Sequence, residues 1–122
     1  MEEISENAMS KTVSSGDAVR YAAPELIEDN SAPPTKSSDT FSFGMLILEC
    51  ITEEVPYSNL PRDAQVMHAR TTKKQCPSRP DGKEPRNRVS DGLWELMMRC
   101  WSIDPSQRPG MEYVQNFFLN KA

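Results

Sequence analysis

The sequence is poor in the residues from which many metal and catalytic sites are built. His68 is its only histidine, which excludes a histidine-based metal cluster or a relay of two histidines within the chain. The three cysteines, Cys50, Cys76 and Cys100, lie far apart and form no CxxC pair. An odd and dispersed set favours free thiols in a reducing compartment over a disulfide framework or a zinc site. We therefore expect a cytoplasmic protein without a metal site.

Glycine and long apolar runs are also scarce. Five glycines stand against ten prolines, a balance that favours helices and rigid loops over a glycine-rich β-barrel. The longest apolar run lies within residues 41–51 and is too short to span a bilayer. The acidic start MEEISENAMSK lacks the apolar core of a signal peptide. We expect no membrane segment, and 122 residues allow one modest core.

The net charge of −4 conceals two oppositely charged parts. Residues 1–30 carry seven acids and two bases, whereas residues 62–88 carry eight bases and three acids. The basic stretch RTTKKQCPSRPDGKEPRNR contains prolines and no aromatic residue. Because nucleic-acid sites usually combine charge with aromatic or helical presentation, we expect a solvated loop here and no nucleic-acid binding.

The most apolar helical pattern lies in SSDTFSFGMLILECITEEVPY, residues 37–57. Ser38 or Asp39 is the expected N-cap, and Pro56 is the expected stop. Between residues 41 and 51 only three small or polar residues interrupt the apolar ones. A helix that is apolar nearly all round must be covered nearly all round, so this helix is predicted to be the axis of the fold.

Weaker helical patterns precede and follow this helix in the sequence. They lie near Pro24 and over about residues 63–72, 90–101 and 111–120, whereas residues 1–16 lack periodicity and are predicted to be flexible. No convincing strand is present, so the predicted fold class is all-α. The last pattern places four apolar residues on one helix face: Met111, Val114, Phe117 and Phe118.

Three motifs stand in a fixed order along the chain. They are Ala23-Pro24-Glu25, the SDxxSFG pattern of residues 38–44, and CWSIDPSQRP at residues 100–109. Together they resemble the back half of a protein kinase domain, and the third is typical of tyrosine kinases and of the tyrosine-kinase-like serine/threonine group. The resemblance implies that residues 17–120 form a partial kinase domain, from the end of the activation segment through the last helix. The implied fold is a truncated, helical C-terminal lobe.

The resemblance also implies roles for individual residues. Glu25 of the Ala-Pro-Glu motif is expected to pair with Arg108, because a guanidinium can donate two parallel hydrogen bonds to a buried carboxylate. Asp39 has the expected role of an N-cap, since the catalytic loop that this aspartate holds in the family is not in the chain. The implied structural and substrate-docking residues are Ala23, Pro24, Glu25, Asp39, Trp101 and Arg108.

The parts that perform phosphoryl transfer are not found in these 122 residues. No GxGxxG, VAIK-like lysine, HRD or DFG occurs. The family also usually has Thr or Ser seven residues before the motif glutamate, where this chain has Ala18. The chain alone is therefore expected to be inactive and to hold no cofactor. ATP and Mg are implied only for the complete domain, in which this portion supplies the substrate-docking side.

An alternative interpretation is a non-catalytic, kinase-derived helical interaction module. The sequence encoded upstream of Met1 would discriminate between the two, since HRD and DFG in frame favour the kinase. Expected partners are a protein substrate or the missing kinase half. Self-association is also expected, through an uncovered side of the central helix predicted to include several apolar residues: Phe41, Met45, Leu48 and Ile51.

Overall fold

A computed structural model of the protein describes residues 16–29 and 31–121. The first fifteen residues, which are most of the stretch predicted to be flexible, lie outside the described part. Within the described part there are helices and no strand. The fold is therefore all-α, as predicted, and no described helix is long and apolar enough to cross a membrane.

Five α-helices follow one another along the described chain. They are α1 (Pro24–Glu28), α2 (Lys36–Thr52), α3 (Asp63–Thr71), α4 (Asp91–Cys100) and α5 (Met111–Lys121). Short 3₁₀ helices lie at Gly16–Arg20, Pro85–Asn87 and Pro105–Gln107. The long α2 is central, and α4 packs along it.

Helix α2 begins earlier than predicted. Thr35 is its N-cap: the Thr35 side chain accepts a hydrogen bond from the Ser38 backbone N–H, and the Ser38 hydroxyl accepts one from the Thr35 N–H. This reciprocal capping box satisfies two backbone donors at once. The predicted caps were therefore wrong, since Ser38 is the third helical residue and Asp39 lies exposed in the first turn. There its charge suits the positive end of the helix dipole.

The other end of α2 also differs from the prediction. The helix ends at Thr52 because Glu53 adopts a left-handed conformation with φ 60°, and it does not extend to Pro56. A left-handed residue after the last turn is a common way to end a helix, although glycine usually occupies it.

The uncovered side of α2 is not where the sequence placed it. Phe41, Met45 and Leu48 are buried in the core and Ile51 is partly buried against it, whereas Leu46 is 49% exposed. The core residues that surround them come from α3, α4 and α5 and from the turn after α2, and they include Tyr57, Val66, Ala69, Leu96, Met97, Cys100, Trp101 and Val114. An almost continuous apolar run does not show which sides its neighbours cover, so the exposed side could not be assigned from sequence.

Helix α5 contacts the core through a narrower face than predicted. Val114 is buried and Phe117 is partly buried, but Met111 and Phe118 remain exposed. All four residues share one face by helical periodicity. The described elements cover only the middle of that face.

Gly44 allows α2 and α4 to approach closely. A Cβ atom added at Gly44 would lie 2.7 Å from Trp101 Nε1 and 3.0 Å from Cys100 Cβ. Both neighbours are buried in the core. We expect Gly44→Ala to lower the free energy of unfolding by about 1–3 kcal/mol, because overpacking outweighs the better helix propensity of alanine.

Chemical denaturation would measure this change. Gly110→Ala is the matched control, since a Cβ there would meet no heavy atom within 4 Å. A Gly44→Ala variant as stable as the parent would show that the two helices are not in close contact.

Candidate functional site around Glu25 and Arg108

The predicted ion pair between Glu25 and Arg108 is present and bidentate. Arg108 Nη1 lies 2.7 Å from Glu25 Oε2, and Nη2 lies 2.8 Å from Oε1. The Arg108 side chain is 0% exposed, whereas that of Glu25 is 32% exposed. The charge that leaves water most completely is therefore the guanidinium, and not the carboxylate as the sequence suggested.

Arg108 joins three separate parts of the chain. Besides its bonds to α1, its Nε donates to the Ser102 carbonyl at 2.9 Å and its Nη1 donates to the Ser37 carbonyl at 3.2 Å. The guanidinium carbon lies 5.0 Å from the centre of the Phe41 ring, within cation–π range. The end of the Ala-Pro-Glu segment is thereby held to the start of α2 and to the turn before α5.

The pairing determines the protonation of Glu25. Burial disfavours the charged carboxylate, but hydrogen bonds and charge from Arg108 outweigh it and hold the pKa of Glu25 below its ordinary value of 4.5. A folded-state pKa below that of the unfolded chain stabilises the protein at pH values above the unfolded-state pKa. This contribution is present above about pH 4.5 and is lost as the pH falls through the lower folded pKa.

Arg70 is a second buried guanidinium, and sequence reasoning did not assign it a function. Its side chain on α3 is among the largest fully buried ones, with Nη1 donating to the Val19 carbonyl. Its Nε and Nη2 have no hydrogen-bond partner within the described residues. The guanidinium lies 4.5 Å from the Phe41 ring centre, and burial lowers the pKa of Arg70 to about 10. The signal in the sequence was its position four residues after Val66, which places both residues on the same face of α3.

Arg20 is a third buried arginine that the sequence did not reveal. It donates hydrogen bonds to the carbonyls of Pro56, Tyr57 and Leu60 at 2.9–3.1 Å. Its Nε lies 3.5 Å from a carboxylate oxygen of Asp63. Tyr57 has a left-handed backbone with φ 59°, and the bond to its carbonyl helps to hold that conformation. Arg20 thus connects the 3₁₀ helix Gly16–Arg20 to the turn between α2 and α3.

Two side chains of α2, Ser42 of the SDxxSFG motif and Glu49, also bind the segment before α1. The Ser42 hydroxyl donates to the Tyr21 carbonyl at 2.9 Å, and the Tyr21 hydroxyl donates to Glu49. Residues 19–25 are therefore held against α2, α3 and the later turn by two side-chain bonds to their backbone, at Val19 and Tyr21, and by bonds of their own side chains.

The remaining predicted residues occupy structural positions. Ala23 and Pro24 are buried at the start of α1. Trp101 is buried after α4 and meets Trp94 edge to face, with ring centres 5.5 Å apart. Asp39, exposed in the first turn of α2, is not brought together with the others. The structure thus gathers Ala23, Pro24, Glu25 and Arg108 around one ion pair.

The part of the chain that the structure describes shows no grouped metal ligands. Among residues 16–29 and 31–121 no group of three or more His, Cys, Asp or Glu side chains could hold a metal ion. Magnesium sites for phosphoryl transfer require carboxylate and amide oxygens that face the phosphates. No chemical step is therefore assigned to the groups described here.

Comparison with known proteins gives a consistent result. The family model for protein tyrosine and serine/threonine kinases matches residues 1–118. Human proto-oncogene tyrosine-protein kinase ROS is 36% identical over 110 residues, which are 84% of this chain and 4% of that protein. The Drosophila melanogaster putative mitogen-activated protein kinase kinase kinase 7-like is 31% identical over 102 residues, 81% of this chain and 24% of that protein. The probable serine/threonine-protein kinase gdt2 of Dictyostelium discoideum is 33% identical over 99 residues, which cover 81% of this chain and 6% of that protein.

The fold and the ion pair define a helical C-terminal lobe of the protein kinase type. The chain belongs to the protein tyrosine and serine/threonine kinase family. It spans between 4% and 24% of the length of these three relatives.

We expect Arg108→Ala to lower the free energy of unfolding by about 3–5 kcal/mol, because it removes a buried pair and leaves the Ser102 and Ser37 carbonyls without their donor. Glu25→Gln should cost less, since a glutamine oxygen can still accept one hydrogen bond and the two carbonyls keep their donor. Chemical denaturation at neutral pH would measure both changes.

Glu28→Gln is the matched control for these variants, because Glu28 is an exposed acid on the same short helix. It should leave the stability unchanged. Equal stability of Arg108→Ala and the parent protein would show that the pair contributes nothing to the folded state.

Proposed function

We propose that this chain provides the C-terminal-lobe part of a protein kinase domain that carries the substrate-docking side. The observation that carries the proposal is the bidentate pair of Glu25 and Arg108. It holds the end of the segment that resembles the activation segment against the central helix. In the complete domain ATP and Mg bind outside this chain, and this chain presents the protein substrate.

A rigid backbone is what substrate positioning requires, because a displacement of about 1 Å can cost on the order of a hundredfold in rate. Three buried arginines fix this segment, residues 19–25: Arg70 donates to the Val19 carbonyl, Arg20 donates to the turn after α2, and Arg108 donates to the Glu25 carboxylate. Such bonds help to keep the segment in one conformation, since Ala23 and Pro24 are its only fully buried apolar residues. This rigidity supports a docking role for the segment.

A chimeric kinase tests the proposal. The segment of the human ROS kinase domain that aligns with this chain would be replaced by residues 17–119, and phosphate transfer to a tyrosine peptide would be measured. We expect transfer, with a higher rate when Ala18→Thr restores the residue that the family usually has. Arg108→Ala in the chimera should reduce the rate on the order of a hundredfold.

The 122-residue chain by itself is the negative control and should show no saturable binding of Mg-ATP, because it lacks the phosphate-binding motifs. A chimera that unfolds cooperatively but transfers no phosphate, with or without Ala18→Thr, would contradict the proposal. That result would favour the alternative of a non-catalytic interaction module.

The proposed partners are a protein substrate and the remaining part of a kinase domain, in the cytoplasm. The three cysteines are free thiols, which suits a reducing compartment. Exposed apolar residues such as Leu46, Phe118 and Leu119 give the isolated chain surfaces for self-association. Sedimentation at several concentrations should show a rising average mass, whereas a concentration-independent monomer would contradict self-association.

A further inference from the structure

An open groove lies along α3 and the chain segments that flank it. Its volume is about 380 Å³, within the range of ligand sites in proteins. The apolar part of the lining comes from Leu60, Ala64 and Ala69. The groove is separate from the ion pair of Glu25 and Arg108.

The charge of this groove is one-sided. Its lining includes Arg62, His68 and Lys73 and contains no carboxylate. A second groove of similar size, about 340 Å³, has Glu54 and Asp81 in its lining together with one arginine. A concave surface lined by one sign of charge concentrates its potential and attracts ligands of the opposite sign. The α3 groove is therefore suited to an anionic ligand, and the second groove is not.

The two permanent cations of the groove are available to a ligand. Arg62 and Lys73 are exposed, and neither forms an ion pair with any residue that the structure describes. The acid next to Arg62 in sequence, Asp63, lies instead near Arg20 Nε. Carboxylates from another molecule could thus pair with both cations without first displacing an ion-pair partner among residues 16–29 and 31–121.

We propose that this groove is a docking site for an acidic segment of a partner protein. Carboxylates of that segment pair with Arg62 and Lys73, and an apolar side chain lies against Leu60, Ala64 and Ala69. The mixture of cations and apolar surface favours a peptide, because the lining offers no tyrosine, tryptophan or phenylalanine on which a nucleic-acid base could stack. The proposal goes beyond the proposed kinase function, since docking does not require phosphoryl transfer.

Fluorescence anisotropy with the whole chain tests the proposal directly. The probe is a fluorescein-labelled peptide of sequence Glu-Asp-Leu-Glu-Glu-Leu, and its uncharged counterpart is Gln-Asn-Leu-Gln-Gln-Leu. We expect saturable binding of the acidic peptide only, weakening as salt is added. The double variant Arg62→Ala/Lys73→Ala should weaken binding about tenfold. Ala64→Trp, which fills the groove and keeps its charges, should weaken binding to a similar extent.

The matched control is Lys36→Ala/Lys83→Ala, which removes the same charge from exposed positions outside the groove. It should change binding less than twofold. An equal loss in both double variants would overturn the proposal, because attraction would then depend only on net charge. Absence of saturable peptide binding, or tighter binding of oligothymidylate than of the peptide, would also overturn it.

Circular dichroism would establish that each variant is folded. The substituted side chains are exposed, so folded variants are expected. If one alanine variant does not fold, Arg62→Gln/Lys73→Gln replaces it with the same expected loss of binding. Because all measurements use the chain alone, an inactive chimeric kinase would leave this result unaffected, and absence of docking would leave the kinase proposal unaffected.

Discussion

A guanidinium with no exposed surface needs acceptors for its donors, and Arg108 finds them in three separate parts of the chain. Glu25 supplies both carboxylate oxygens, and the carbonyls of Ser102 and Ser37 accept the other bonds. A guanidinium left at this depth without acceptors for its donors would cost several kcal/mol. The positions of α1, the start of α2 and the turn before α5 are therefore coupled, so that a change in one alters the others.

The same principle extends to the segment before α1. Residues 19–22 contribute few fully buried apolar side chains, so apolar burial alone fixes their position only weakly. Arg70 accordingly donates to the Val19 carbonyl, and Ser42 donates to that of Tyr21. Polar bonds to the backbone hold a segment in one conformation without requiring a large apolar surface. This suits the proposed docking role, in which the outer side of the segment stays open to a protein substrate.

The helices were predicted from their apolar patterns, and the ion pair was predicted from the resemblance that the three ordered motifs carry. The apolar run of α2 allowed few structures other than a helix. The three ordered motifs indicated which acid and which arginine would pair. The failures of sequence reasoning have physical causes. Thr35 was missed because Ser38 and Asp39 are also good capping residues, and only the backbone geometry chooses among the three. Arg70 was not assigned because a lone arginine usually indicates an exposed position.

The central claim is that the bond between Glu25 and Arg108 stabilises the fold beyond what the separate contacts of each residue contribute. A double-mutant cycle measures this directly, with Glu25→Gln, Arg108→Ala and the double variant compared by chemical denaturation at neutral pH. We expect a coupling energy of about 1.5–3 kcal/mol, within the range for residues in contact. A coupling energy below about 0.5 kcal/mol, the value usual for independent sites, would contradict the claim.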